Sequence, residues 1–345
     1  MEFGKAMRSL LVLGAVASAS CARIGDVSTN ELAGPAFEAW MHINHSDDVI
    51  DTTAFGVYII EDVPGSGEEV VDGNYVYMDY TVRTAGDGVI TASSYEQVAR
   101  KLGTYKQGNY YGPMVQQYAE GVMMRGVRDI FAGGRLGPMK VGGKRTAIIP
   151  GWLLSTEKYS TGKDYPKNVS GSACIYTIEL VDQASDIVEW QISRIKEYIA
   201  SRGVTADTTS GHGFFYCRTA DPVTDRKLSA DTTVYVNYIG RRLDGAVFDT
   251  SIEDTAKVWG IYDATRSYGP TSIKTAADST AFTMGSSASS VVKGFSLTIY
   301  NMHPFESGFG AFTSDFGYSS TGSGSSIPGY SPLVFEIDMV AKPKQ

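Results

Sequence analysis

Apolar and polar residues alternate in several short runs of this chain, which is the pattern of a β-strand with one buried face. Residues 76–80 and 234–238 share one such pattern, and residues 174–180 and 333–339 share another. The matching runs are separated by 158 and 159 residues. This spacing is longer than the roughly 20–50 residues of a solenoid repeat, so it predicts two copies of one domain.

Three segments have the apolar spacing of helices. Residues 31–44 precede the first copy, residues 185–202 precede the second, and residues 292–301 lie inside the second. Strands on both sides of one short helix predict an α+β fold in which each copy is an antiparallel sheet wrapped on a helix. Residues 185–205 are interpreted as a linker helix, with a stripe that packs in a core: Val188, Ile192, Ile195 and Ile199.

The first residues have the pattern of an export signal. Lys5 and Arg8 precede an apolar run at residues 10–17, which is followed by small residues up to Cys21. The run is too short to span a bilayer. Residues 1–20 are therefore predicted to be a signal peptide, and residues 21–53 a leader with a short helix. Lipidation of Cys21 predicts a periplasmic or outer-membrane-anchored lipoprotein with a lipid anchor in the membrane. Cleavage after Ala19 would instead release a soluble periplasmic protein.

The composition restricts the class of protein. At 345 residues and 43% apolar content, the chain can bury more than one core. The net charge of −8 argues against a nucleic-acid partner, which requires a basic surface. Cys174 and Cys217 could form a disulfide in an oxidising compartment, but the strand pattern around Cys174 favours a buried free thiol. The four histidines form no recognisable metal-binding set, so no metal and no cofactor are expected.

Five short motifs follow one another in the second copy. They are Val-Phe-Asp at residues 247–249, Val-Val-Lys-Gly-Phe at 291–295, Asp-Phe-Gly-Tyr at 315–318, Ile-Pro at 327–328 and Leu-Val-Phe at 333–335. This order resembles the FKBP-type peptidyl-prolyl cis-trans isomerases over about residues 213–342. The resemblance implies two FKBP-like domains, one at residues 54–184 and an isomerase domain at residues 206–345.

The resemblance also implies roles for particular side chains. Asp249 would be the carboxylate in the wall of the site, and Tyr318 would donate its hydroxyl to the carbonyl beside the prolyl bond. Phe295 would form the floor, where many relatives have a tryptophan. The apolar cradle for the proline ring would consist of Tyr238, Phe248, Phe282, Val291, Val292, Phe295, Ile327 and Phe335.

The second copy departs from the family pattern in two places. No arginine stands shortly after Asp249, where relatives often have one to pair with the acid, and residues 252–280 form an insertion that contains Arg266. Residues 303–304 are His-Pro, where the family usually has a glycine and a basic residue. We therefore expect Asp249 to be held less firmly and the catalytic rate to be lower.

The first copy lacks the polar groups of the second. Ile90 and Thr91 replace the Phe-Asp pair, and the tyrosine position falls near Leu154. The first copy is therefore predicted to be degenerate. The whole chain is predicted to be an exported isomerase that assists the folding of proline-containing exported polypeptides. The alternative is a non-catalytic peptide-binding chaperone or interaction lipoprotein with the same fold.

Overall fold

In a computed structural model of the protein, residues 29–210 and 213–343 are described. The predicted signal peptide and Cys21 lie outside these residues. Within the two described ranges, no helix is both long enough and apolar enough to cross a membrane.

The described residues form helices and antiparallel strands, as the sequence pattern predicted. The α-helices are α1 (Thr29–His45), α2 (Glu96–Lys101), α3 (Arg125–Ala132), α4 (Tyr165–Asn168), α5 (Ile187–Ser201), α6 (Glu253–Val258) and α7 (Lys293–Asn301), and short 3-10 helices span Gly151–Leu153 and Ser314–Phe316. The strands are β1 (Asp51–Thr52), β2 (Tyr58–Val63), β3 (Tyr75–Thr84), β4 (Ile90–Ser93), β5 (Met114–Gln117), β6 (Lys144–Ile149), β7 (Cys174–Ala184), β8 (Thr208–Ser210), β9 (Phe214–Ala220), β10 (Thr233–Arg242), β11 (Val247–Thr250), β12 (Thr271–Lys274), β13 (Thr283–Met284), β14 (Ser289–Ser290), β15 (Ser307–Phe312) and β16 (Leu333–Val340).

The chain divides into two compact units that are discontinuous in sequence. The first unit contains the described residues up to Asp72, together with Tyr80–Ala92 and Tyr118–Leu180. The second contains Gly73–Asp79, Ser93–Gln117 and the described residues from Val181 onward. Two segments that the repeat assigns to the first copy thus cluster with the second unit. The predicted domain boundaries, and the role of residues 185–205 as a linker, remain predictions.

The first unit is built on antiparallel pairing of β1 with β2, β2 with β6, and β6 with β7. Helix α1, which the sequence placed at residues 31–44, packs Met41 against Ile148 and Ile175. Phe37 on the same helix meets the ring of Trp152 edge to face, with 5.4 Å between the centroids. The helix before the first copy is therefore part of the core of this unit.

The second unit contains an antiparallel sheet in the order β14-β13-β12-β10-β16-β15-β9-β8, with β11 paired to β10. Because successive side chains point to opposite sides of a strand, each strand contributes side chains to both faces of the sheet. Tyr216 on β9 belongs to a core that includes Phe295 and Ile299 of α7. The next residue, Cys217, belongs to the core on which α5 packs. One sheet therefore separates two apolar cores.

Helix α5 agrees closely with the helix predicted at residues 185–202. Asp186 caps its N-terminus, because the carboxylate accepts hydrogen bonds from the backbone nitrogens of Val188 and Glu189. Ile192, Ile195 and Ile199 are buried, so the apolar stripe packs in a core of the second unit.

The cysteines at positions 174 and 217 are both free, as predicted. Cys217 is fully buried, and burial raises the pKa of its thiol to about 12. Cys174 is only half-buried, so the expectation that it lies in the core is wrong. The reason is its position at the first residue of β7, where the strand begins.

Candidate active site

The residues that the sequence singled out for the apolar cradle lie in one hydrophobic cluster of the second unit. Those at its base are buried: Tyr238, Phe282, Phe295, Ile327 and Phe335. Those at its edge are partly buried: Phe248, Val291, Val292 and Tyr318. The structure thus brings together residues from three strands, the start of α7 and two loops.

Aromatic rings meet edge to face through the middle of this cluster. The centroids of Phe295 and Phe335 are 5.0 Å apart, with 85° between the ring planes. Tyr238 meets Phe295 at 5.4 Å and 84°, and Phe248 meets Phe335 at 5.6 Å and 87°. Such perpendicular pairs contribute about 0.5–1.5 kcal/mol each beyond their buried area. The rings therefore hold one another in a defined arrangement.

The carboxylate of Asp249 lies at the edge of this aromatic cluster. β10 and β11 pair with Gly240 opposite Asp249, which places the acid beside Tyr238. The Tyr238 hydroxyl donates to Asp249 Oδ2 at 2.9 Å, and the backbone nitrogen of Thr250 donates to Asp249 Oδ1 at 2.8 Å. Burial, and then the negative charge of Asp249, raise the pKa of Tyr238, so the phenol stays protonated and donates.

Arg266 completes this arrangement. Its guanidinium donates one hydrogen bond to Asp249 Oδ1 and a second, of 2.6 Å, to the hydroxyl of Tyr238. The expectation that Asp249 is held less firmly, for want of a nearby arginine, is therefore wrong. The partner comes from the inserted segment between α6 and β12, instead of from the residues just after the acid. The carboxylate of Asp249 accepts hydrogen bonds from three groups of the protein: the Tyr238 hydroxyl, the Thr250 backbone nitrogen and the Arg266 guanidinium.

The insertion that supplies Arg266 is itself organised around aromatic rings. The rings of Tyr262 and Tyr268 stack with their centroids 5.4 Å apart, and the guanidinium of Arg266 lies 5.6 Å from the ring centroid of Tyr268. The Tyr268 hydroxyl accepts a hydrogen bond of 3.0 Å from the backbone nitrogen of Asp263. These contacts limit the positions that the arginine side chain can adopt.

Tyr318 packs against the same cluster and is half-buried. Burial, and then the charge of Asp249, raise the pKa of its phenol above the ordinary value. The phenol is therefore protonated at neutral pH and is able to donate a hydrogen bond. The structure places this donor and the Asp249 carboxylate close enough to interact electrostatically.

The loop at residues 319–331 has internal hydrogen bonds, although its Ser-Gly-rich sequence resembles a flexible linker. The backbone nitrogen of Ser323 donates to the oxygen of Ile327 at 2.7 Å, and that of Tyr330 donates to Ser319 at 2.8 Å. A side chain at Gly322 would put its Cβ 2.2 Å from the oxygen of Ile327. The loop therefore has a defined shape, which presents Ile327 to the cluster.

Gly240 is a residue of the site that sequence reasoning missed. A Cβ at this position would lie 2.8 Å from the ring of Phe248 and 2.9 Å from the ring of Phe335. Gly240 therefore allows these two rings to pack close to the strand. The available signal was a glycine inside a run with strand alternation, which often marks a close approach of other groups to the backbone.

The corresponding position of the first copy has different chemistry. Thr91 is exposed, and its hydroxyl donates a hydrogen bond of 3.4 Å to the backbone oxygen of Val82. Ile90 is partly buried. No carboxylate stands at either of these two positions. The first copy remains a predicted degenerate copy.

No cluster of three or more His, Cys, Asp or Glu side chains is placed to hold a metal ion in the part of the chain that the structure describes. The candidate site instead consists of apolar rings, one anchored carboxylate and the phenols of Tyr238 and Tyr318. Such a site can bind an apolar group and donate a hydrogen bond to a polar atom next to that group.

Comparisons with known proteins show what this part of the chain resembles. Residues 224–340 match the family model of the FKBP-type peptidyl-prolyl cis-trans isomerases. The matched residues include both Asp249 and Tyr318. The comparison with curated proteins found no match.

Solved structures with FKBP domains are similar to the chain over longer stretches. The three FKBP domains of wheat FKBP73 match with 15% identity and a TM-score of 0.30, covering 83% of this chain and 93% of that one. A peptidyl-prolyl cis-trans isomerase from Pseudomonas syringae pv. tomato matches with 24% identity and a TM-score of 0.31, covering 45% and 92%. AtFKBP13 matches with 20% identity and a TM-score of 0.28, covering 39% and 98%.

Proposed function

We propose that this protein is a peptidyl-prolyl cis-trans isomerase whose activity resides in residues 206–345. The observation that carries the proposal is the Asp249 carboxylate, held by Arg266 and Tyr238 at the edge of a cluster of aromatic rings. Tyr318 adds a phenol at the same edge. The match of residues 224–340 to the isomerase family supports the same assignment.

The chemistry requires no bond to be cleaved. Rotation about a prolyl imide is slow because resonance stiffens the C–N bond, with a barrier of about 18–20 kcal/mol. The planar ground state separates charge between oxygen and nitrogen, and the twisted state loses this separation. A site walled by aromatic rings therefore favours the twisted state relative to the planar one. Binding that is tighter for the twisted state than for the planar state lowers the barrier.

Each group of the site has a part in this proposal. The proline ring occupies the apolar cluster above Phe295. Tyr318 donates a hydrogen bond to a carbonyl next to the imide, which fixes the chain on one side of the rotating bond. Asp249, held by Arg266, is the charged group in an otherwise apolar wall, and it orients the hydroxyl of Tyr238. Such positioning fixes the geometry before rotation begins.

We further propose that the substrates are exported polypeptides that contain proline. Support comes from the sequence of residues 1–21, where basic residues, an apolar run and small residues precede Cys21. Lipidation of Cys21 would hold the isomerase at a membrane surface. Folding of exported chains includes prolyl isomerisation as a slow step, which takes about 10–100 s without catalysis.

A prolyl-peptide isomerisation assay tests the proposed activity on the chain that lacks residues 1–21. We expect Tyr318→Phe to lower kcat/KM about tenfold, which corresponds to about 1.4 kcal/mol for one hydrogen bond. Asp249→Ala should lower it by a similar factor. Tyr300→Phe is the matched control, because Tyr300 is an exposed tyrosine on α7. An uncatalysed rate in the unsubstituted protein would favour the non-catalytic peptide-binding chaperone.

A further inference from the structure

The second unit contains a cavity of about 550 Å³ whose lining includes none of the residues of the candidate site. Ligand-binding pockets typically have volumes of about 300–1,000 Å³. Aromatic side chains line this one, among them Tyr77, Tyr110, Trp190 and Tyr330. All residues that line the cavity belong to the second unit.

The aromatic wall of this cavity is firmly fixed. The rings of Tyr77 and Trp190 stack with their centroids 4.1 Å apart and 27° between their planes. The indole nitrogen of Trp190 donates to Asp182 Oδ2 at 3.2 Å, and the guanidinium of Arg194 lies 4.9 Å from the indole centroid. The wall is therefore formed before any ligand arrives, which lowers the entropic cost of binding.

The hydroxyl of Tyr77, a residue that lines the cavity, is a buried donor without a partner in the part of the chain that the structure describes. Tyr77 is only 7% exposed, and its hydroxyl has no hydrogen-bond partner among the described residues. A buried polar group without a partner costs about 1–3 kcal/mol. Asp182, Arg194 and Tyr110 are the charged and polar groups that act on this phenol, and all three line the cavity. A ligand that brings an acceptor would remove the cost.

The polar groups of the cavity favour a neutral ligand that accepts hydrogen bonds. Arg194 and Asp182 form an ion pair of 3.7 Å, so their charges offset each other and select neither an anion nor a cation. The Tyr110 hydroxyl already donates to the oxygen of Pro113 at 2.9 Å. Tyr77 is left as a donor. A proline-rich peptide has carbonyl acceptors but no N–H on its prolines, so it satisfies this donor without leaving a donor of its own unpaired.

Such a peptide also fits the aromatic wall. Proline-rich segments adopt the extended polyproline II helix, whose pyrrolidine rings pack on aromatic grooves. The helix is largely formed before binding, so little conformational entropy is lost. We propose that the cavity of Tyr77, Trp190 and Tyr330 binds an extended proline-rich segment of polypeptide, at a site additional to the one beside Asp249.

The position of the cavity gives this binding a consequence for the candidate active site. Arg242 lines the cavity and donates a hydrogen bond of 2.7 Å to the backbone oxygen of Ser326. The backbone nitrogen of Tyr110 donates to the oxygen of Ser325 at 2.8 Å. Both acceptors lie in the loop at residues 319–331, which presents Ile327 to the aromatic cluster. A polypeptide held in the cavity therefore lies beside the loop that borders the candidate site, which raises its effective concentration there.

Fluorescence anisotropy with a labelled decaproline peptide tests the inference on the chain that lacks residues 1–21. We expect saturable binding of decaproline and at least tenfold weaker binding of a Gly-Ser peptide of equal length. Tyr77→Phe keeps the ring and removes the hydroxyl, so it should weaken decaproline binding about five- to tenfold. Tyr330→Ala, in a loop away from the core, should weaken it by a similar factor. Tyr300→Phe is the control and should bind as the unsubstituted protein does.

The same variants separate this site from the isomerase site. Asp249→Ala and Tyr318→Phe should bind decaproline unchanged, and Tyr77→Phe should isomerise a short prolyl peptide at the unsubstituted rate. Equal binding of the Gly-Ser peptide, or unchanged binding by both Tyr77→Phe and Tyr330→Ala, would overturn the inference. Loss of decaproline binding in Asp249→Ala would also overturn it, because the peptide would then occupy the candidate active site. None of the binding outcomes depends on whether the chain catalyses isomerisation.

Discussion

Arg266 donates a hydrogen bond to the carboxylate of Asp249 from a position 17 residues further along the chain. The same guanidinium reaches the hydroxyl of Tyr238 at 2.6 Å. The inserted segment that carries Arg266 therefore holds the acid, although no arginine stands shortly after Asp249 in the sequence. The insertion therefore contributes a side chain to the candidate site.

Replacement of Arg266 tests its role as a positioning residue. We expect Arg266→Met to lower kcat/KM about three- to tenfold, because Asp249 and Tyr238 lose their shared donor. Arg266→Lys should recover only part of the loss, since one ammonium does not reproduce the planar fork of a guanidinium. The pair is more than a third exposed, so stability should change by less than about 1 kcal/mol. Isomerisation kinetics and thermal unfolding measure the two effects.

A purely structural role for Arg266 predicts a different result. In that case the activity that Arg266→Lys recovers would change in parallel with its melting temperature. The losses in the free energy of activation caused by Arg266→Met and Tyr238→Phe would also be additive in the double variant. We expect instead that the double variant loses less than the sum, because the two residues share one hydrogen bond. Arg226→Met, at an exposed arginine of the same unit, is the control.

Substitution of Gly240 tests the close packing beneath the site. Gly240→Ala puts a methyl group within 2.9 Å of two aromatic rings, so the rings or the strand must move. Overpacking of this kind costs about 1–3 kcal/mol. We expect that loss in chemical denaturation, together with weaker activity. Gly86→Ala is the matched control, because a Cβ there meets no atom within 4 Å. Equal stability of the two variants would contradict the packing argument.

Glu306 should make the second unit sensitive to acid. Its carboxylate is fully buried and accepts hydrogen bonds from Tyr216, from Arg218 Nε at 3.0 Å and from the backbone nitrogen of His303 at 2.7 Å. Burial alone would raise the pKa of Glu306, but these hydrogen bonds outweigh it and lower the pKa. The stabilisation is therefore present above the unfolded-state pKa of about 4.3 and is lost as the pH falls below it.

Thermal unfolding between pH 3 and pH 7 measures this dependence. We expect Glu306→Gln to be about 1–3 kcal/mol less stable than the unsubstituted protein at pH 7, because the charged acceptor is lost. The difference should shrink as the pH falls below about 4. An exposed acid, Glu253, provides the control variant Glu253→Gln. A difference that stayed constant over the whole pH range would refute the assignment to Glu306 ionisation.

Helix α5 should contribute to the stability of the second unit through Ile195. This residue is fully buried against the outer face of the sheet, where it shares a core with Phe215 and Phe309. Ile195→Ala should therefore cost about 2–5 kcal/mol. The neighbouring Lys196→Ala should change stability little, because Lys196 is exposed. Denaturant unfolding distinguishes the two, and a small effect at both positions would mean that the helix packs only loosely.

Much of the secondary structure was predictable from sequence, because alternation and helical spacing are local properties. The strand pattern at residues 234–238 lies within β10, and that at residues 333–339 lies within β16. The helix predicted at residues 185–202 is α5, within two residues at each end. The members of the aromatic cluster were also predictable, because their order along the chain resembles a family with a known arrangement.

The contacts that hold the site in place depend on tertiary structure. No local pattern shows that Arg266, within an insertion, would reach Asp249, because the path of the insertion follows from the packing of its own tyrosines. The need for glycine at position 240 arises only when Phe248 and Phe335 close over the strand. The stack of Tyr77 on Trp190 joins residues from distant parts of the sequence.

Sequence alone determined which segments are strands and helices and which side chains are apolar, since these are properties of neighbouring residues. The folded chain decided which polar groups meet, because such distances depend on every segment that packs between them.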